Sequence, residues 1–177
     1  MNELKTHLKI YLLVFQSILF SASVFAQKVD SIGITNFFSP KNAAQINESS
    51  KDSIFQCVKR DKKLEDLFYY YEAKLMLQTG KFDEALLAAD KQLKKLSKLE
   101  SKEQKAKYYN IIGSVHANKQ ETKKAISYFE KALRASEESG QNIYASMMES
   151  NIANMYFSLV DYESAYMHVA KGYEEMR

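Results

Sequence analysis

Beyond residue 26 the chain has two histidines, His116 and His168, and a single cysteine, Cys57. These side chains are the best suited to hold a metal or to run nucleophilic chemistry. A zinc site needs three or four convergent nitrogen, sulfur or oxygen ligands. Neither histidine has further ligands at metal-binding spacing, so no metal is expected. A nucleophile needs a base within hydrogen-bond reach, and no histidine lies near Cys57 in sequence. As a lone thiol, Cys57 is read as a small buried hydrophobe, with pairing between chains as the alternative. Glu65, Asp66, Glu137 and Glu138 are spaced as solvated helix faces, not as carboxylates whose surroundings drive their pKa values apart. There is no glycine-rich phosphate loop and no nucleotide fingerprint. The expectation is a protein that is not an enzyme and takes no cofactor. The basic stretches Lys91–Lys98 and Lys102–Lys107 are broken by Leu or Glu and read as polar helix faces. Phe68, Tyr69, Tyr70 and Tyr71 are consecutive. On a helix they point all round it, so at least one must turn away from a core and offer a contact surface.

The elements that must position these residues are helices. Apolar residues make up 46% of 177 residues and charged residues 27%, a globular composition. One Pro and five Gly are too few to punctuate a strand-rich fold. An all-α fold is expected. Residues 1–26 stand apart: Lys5 and Lys9 precede an apolar run from Ile10 that closes on Val24-Phe25-Ala26. That order is the pattern of a secretory signal peptide cut after Ala26. The expected location is therefore exported, periplasmic or secreted, or membrane-anchored if residues 10–26 are kept. Removing Lys5, Lys9 and Glu3 lowers the net charge from +3 to +2, too near neutral to expect nucleic acid. Residues 27–63 read as a weakly ordered arm, broken by Gly33, Pro40, Asn42 and Asn47, with a short helix starting near Ser49 or Ser50. Ile54, Val58 and Cys57 would form the apolar face of that helix.

From Leu64 the chain repeats itself at a shift of 40. Ala73, Gly113 and Ala153 share a column, as do Ala85, Ala125 and Ala165. So do Leu86, Ile126 and Tyr166; Ala89, Phe129 and Val169; and Leu93, Leu133 and Tyr173. Within a copy the spacing is helical: Tyr109, Ile112, Gly113, His116 and Ala117 draw one apolar stripe. His116 takes a core position held by Met76 and Tyr156 in the other copies, while His168 reads as facing solvent. Gly140 stands where a glycine ends a helix. Six helices follow, at about 64–79, 82–97, 102–118, 121–138, 142–159 and 161–176, grouped as repeats 64–99, 102–139 and 142–177. Each pair is too small to bury its own apolar face, and stacking neighbours supplies the rest.

This pattern resembles the tetratricopeptide repeat in a long-period, 40-residue form. That family places a small residue inside the first helix and another early in the second. Here these are Ala73 with Ala85, Gly113 with Ala125, and Ala153 with Ala165. Tyr69, Tyr109, Phe82 and Tyr162 fall at family aromatic positions, and Gly80-Lys81-Phe82-Asp83-Glu84-Ala85 matches the family's turn. Copy two departs with Gln120 and Thr122, and copy three with Val160 in place of the turn glycine. The resemblance implies an α-solenoid of three antiparallel pairs whose first helices line a concave groove. Leu67, Tyr70, Lys74 and Leu77 would line it from copy one. Lys107, Asn110, Ser114 and Asn118 would do so from copy two, and Met147, Ser150, Asn154 and Phe157 from copy three. Such a lining suits a protein partner presenting an extended peptide or a helix; a merely solvated surface is the alternative. Exported repeats of this kind also resemble the sensing region of bacterial membrane histidine kinases and regulators. Solenoid ends need a polar cap, and Val169, Tyr173 and Met176 have none. Two expectations compete for that end: homodimerisation or partner docking through the last helix, or a longer protein of which this chain is the front, as in those sensing regions.

Overall fold

The computed structural model describes residues 29–96 and 101–175. The signal-peptide reading of residues 1–26, and Met176, lie outside them. Among the described residues the fold is all-helical. The elements are α1 (Ser31–Phe37), a 3-10 turn (Pro40–Gln45), α2 (Glu48–Val58), α3 (Lys62–Gln78), α4 (Phe82–Lys95), α5 (Lys102–Asn118), α6 (Thr122–Glu137), α7 (Asn142–Ser158) and α8 (Tyr162–Glu175). They form two compact units, with the boundary after Tyr71.

The first unit corrects the reading of a weakly ordered arm. Asp30 caps α1 by accepting from the Gly33 amide at 2.9 Å, and one turn apart Ile34 and Phe38 are buried. The Phe38 ring meets Phe68 edge-on at 5.0 Å, and Phe55 lies 5.5 Å from Phe68. Seven residues containing a glycine cannot hold a helix on propensity. Burial of Ile34 and Phe38 holds it instead, a tertiary cause that local periodicity does not display. Helix α2 is capped by Asn47, two residues before the first of the expected caps. The Asn47 side chain accepts from the Ser50 amide at 2.9 Å, and Ser50 Oγ accepts from the Asn47 amide at 3.0 Å. That reciprocal pair is a capping box. Ile54 and Val58 are buried as expected, but Cys57 is exposed, so it is not the buried hydrophobe it was read as. Its thiol donates to the Ser53 carbonyl at 3.3 Å within the helix.

In the second unit consecutive helices pack on one another from α4 to α8. The turns repeat at the 40-residue spacing. Gly80, Gln120 and Val160 all take positive φ, at 77°, 61° and 62°. The amides of Lys81, Glu121 and Asp161 donate back to Met76, His116 and Tyr156 at 2.8, 2.9 and 3.1 Å. Those are the six-to-one bonds of the Schellman motif, which satisfy carbonyls left bare at a helix end. Copies two and three therefore keep the turn without its glycine. Gly140 (φ 69°) ends α6 in the same way, with Gln141 donating to Ser136 at 2.9 Å.

The core between α6 and α7 contains Ala125, Phe129, Ala132, Met148 and Ile152, with Tyr109, Leu133 and Met155 packed against it. Ala73, Ala85, Ala125, Ala153 and Ala165 are buried, as is Gly113. The crossing at Gly113 differs from the small-against-small contact expected with Ala125. A Cβ at Gly113 would fall 2.7 Å from the Phe129 ring, and its three nearest atoms all belong to Phe129. The glycine makes room for an aromatic.

Candidate functional site

The polar chemistry of the second unit gathers around α5 and α7. Asn110 Nδ2 donates to Tyr144 Oη at 3.1 Å, and Asn151 Nδ2 donates to Asn110 Oδ1 at 3.2 Å. Asn110, a residue expected in the groove, is therefore engaged in joining the two first helices. Tyr144 and Asn151 were not among the expected residues. Lys107 bonds Glu103 at 2.7 Å, which holds the Glu103 carboxyl below the usual carboxylate range. Lys107 also lines an open depression of about 610 Å³ with Gln141, Ile143 and Tyr144.

The other expected groove residues divide by location. Leu67 and Tyr70 belong to the first unit and are half-buried. Burial, and then the neighbouring Tyr71, push the Tyr70 phenol above its usual range. Lys74, Leu77 and Ser114 are half-buried in the second unit. Asn118 is exposed and donates to its own helix at Ser114 O, 2.8 Å away. Met147, Ser150, Asn154 and Phe157 are all exposed on α7. Ile143 joins them: it is 82% exposed and one turn before Met147. Reading copies against one another concealed it, because its counterparts are Glu103 and Lys63. The spacing 143, 147, 150, 154 and 157 keeps all five on one face of α7. Met148 and Ile152, on the opposite face, are buried. Helix α7 is thus apolar on both sides.

Each histidine has a carboxylate and an aromatic partner. His116 Nδ1 lies 2.6 Å from Glu121 Oε2, and its ring stacks on Tyr128 at 5.4 Å. His168 Nδ1 lies 2.5 Å from Glu149 Oε2, and its ring stacks on Tyr156 at 5.3 Å. Positions 116 and 156 are one repeat apart, as are 128 and 168. The stack is kept while histidine and tyrosine exchange helices. His168 does not face solvent as expected; it covers Glu149, which is 5% exposed. The His168 pair meets the demand that a buried carboxylate be hydrogen-bonded. Lys124 and then His116 hold Glu121 below the usual carboxylate range. Among the described residues no three His, Cys, Asp or Glu side chains stand close enough to hold a metal ion. None of the described helices is long and apolar enough to cross a membrane.

No family model, curated protein or solved structure matches this chain.

Proposed function

We propose that the chain is an exported binding module and not an enzyme. In this reading its three helix pairs are antiparallel, stack as a solenoid of the tetratricopeptide kind, and take a peptide or a helix along their first-helix face. The 40-residue recurrence of both the residue columns and the positive-φ turns supports the repeat. One observation carries the binding: α7 buries Met148 and Ile152 on one side and exposes Ile143, Met147 and Phe157 on the other. A helix that only packs into a fold needs one apolar stripe. A second stripe, interleaved with the hydrogen-bonding Ser150 and Asn154, suits a partner with apolar anchors and polar backbone groups. Export rests on the basic, apolar and small-residue order of residues 1–26.

Selection from a displayed random-peptide library tests the binding. Enriched peptides are expected to lose about tenfold in affinity with Met147→Lys or Phe157→Lys, as for a contact at the energetic centre of an interface. A library that yields nothing, or peptides indifferent to both substitutions, would overturn the reading. Export is tested separately by the N-terminal residue of protein recovered outside the cytoplasm, which should be Gln27.

A further inference from the structure

A second apolar surface lies on α8. Tyr162, Tyr166, Val169 and Tyr173 are all exposed. Their spacing of four, three and four places them in one stripe along the helix. This is the spacing of a seam between two packed helices. In the preceding pair the equivalent column includes Phe129 and Leu133, which pack with Met148 and Ile152 of α7. The matching α6 column is covered by the helix that follows it, whereas the α8 stripe is open.

The surface extends round the turn before α8. The Phe157 ring lies 5.4 Å from Tyr162, and Leu159 and Val160 between them are exposed. The same turn positions carry Lys119 and Gln120 in copy two, and Thr79 and Gly80 in copy one. Val160 is held at φ 62°, a left-handed conformation that a β-branched residue adopts only at a cost. Copy three thus keeps an apolar side chain where the backbone favours glycine and where solvent favours a polar group.

We infer that this surface binds a second copy of the chain, α8 against α8, about a two-fold axis. Three features select that occupant. The four-three-four spacing reads the same in both directions, so antiparallel helices match every residue. Tyr162 then meets Tyr173 of the second copy, and Tyr166 meets its Val169. A two-fold contact must be self-complementary in this way, and aromatic rings against aromatic or β-branched side chains pack well. The stripe itself carries no charge, so its self-apposition places no like charges within the seam. Its area is also sufficient. Aromatic side chains bury about 150–250 Å² each; about two-thirds of that is open on the three tyrosines, which with Val169 and the apolar turn reaches the roughly 500 Å² per partner that a specific interface needs.

Sedimentation equilibrium on the full chain tests this. A dimer that dissociates on dilution is expected, and Val169→Glu and Tyr166→Lys should each weaken association about tenfold or more. Both positions are exposed, so an unchanged helical circular dichroism spectrum is expected for each. Met147→Lys, on the opposite business of peptide binding, should leave the dimer intact, and Val169→Glu should leave selected peptides bound. Phe157 borders both surfaces, so Met147→Lys and Val169→Glu are the substitutions by which the two readings fail separately. A chain that stays monomeric at the highest concentration overturns the inference. So does a dimer that survives both α8 substitutions, since its contact would lie elsewhere.

Discussion

The second and third helix pairs have matched residue columns but bury them differently. Phe129 is 3% exposed, while Val169, one repeat later, is 57% exposed. Leu133 packs on the α6–α7 core, while Tyr173 is bare. The neighbouring columns behave alike in both pairs: Ala125 and Ala165 are buried, as are Ala132 and Gly172. A Cβ at Gly172 would meet Ser146 and Glu149 of α7 at 3.2 Å, so that column is covered from within its own pair. The difference shows that two kinds of apolar column coexist. One is buried by the pair itself. The other is half-covered within its pair, as Phe129 is by Gly113, and completed only by what stacks next; in the third pair nothing in the chain's described residues completes it.

The largest expected effect tests that division directly. Phe129→Ala removes a buried ring and should cost about 3–5 kcal/mol, the range for aromatic truncation in a core. Val169→Ala, at the matched position, should change stability by less than about 0.5 kcal/mol in dilute protein, as exposed substitutions do. Urea unfolding of both variants measures the contrast. Similar losses at the two sites would break the comparison.

Next in size is the close approach at Gly113. Alanine there places a methyl 2.7 Å from the Phe129 ring and should cost about 1–3 kcal/mol through overpacking. The third pair has Ala153 and Val169 in these columns. Combining Gly113→Ala with Phe129→Val installs that combination in the second pair. The methyl's cost should then shrink in a double-mutant cycle. If Gly113→Ala costs as much beside valine as beside phenylalanine, the two residues do not share the space. Ala125→Leu, in the adjacent buried column, should also lose about 1–3 kcal/mol, read from its melting temperature.

A smaller effect is expected at the turns. Val160→Gly relieves a left-handed residue that costs about 1–2 kcal/mol, against roughly 0.5–1 kcal/mol of added freedom in the unfolded chain. The net should be a modest gain, seen by thermal unfolding in dilute protein. Gly80→Val should reverse the sign at the matched turn.

The helices of the repeat were legible because their apolar columns recur with helical spacing, and five apolar or small columns recurring together leave little freedom. The turns kept by Gln120 and Val160 could not be read from residue type, since neither residue announces positive φ; their register one repeat from Gly80 was the available signal. Helix α1 escaped because the burial of Ile34 and Phe38, not local pattern, sustains it. Cys57 was misread because its place beside Val58 suggested a wider buried face than α2 possesses. In the candidate site, Met147 and Phe157 are exposed. Ile143 was hidden by comparing copies, although its own helix placed it one turn from Met147.

The smallest expected effect concerns Glu137 at the end of α6. Burial, followed by the charges of Glu175 and Glu149 in the third pair, pushes its carboxyl above the usual range, with Arg134 opposing. A carboxyl raised in this way binds its proton more tightly in the folded chain than in the unfolded one. Its contribution to stability therefore grows as pH falls through the folded value and is lost as pH rises through it. At about pH 7 the folded state holds this charge at a disadvantage, so Glu137→Gln should raise the melting temperature slightly. The gain should fade toward zero below about pH 4, where the glutamate is protonated in both states. Two of the three carboxylates belong to the third pair, so Glu175→Gln should shrink the Glu137→Gln gain if that pair stacks on the second. A gain that is independent of both pH and residue 175 would assign the effect to helix propensity at residue 137 and remove the third pair from it.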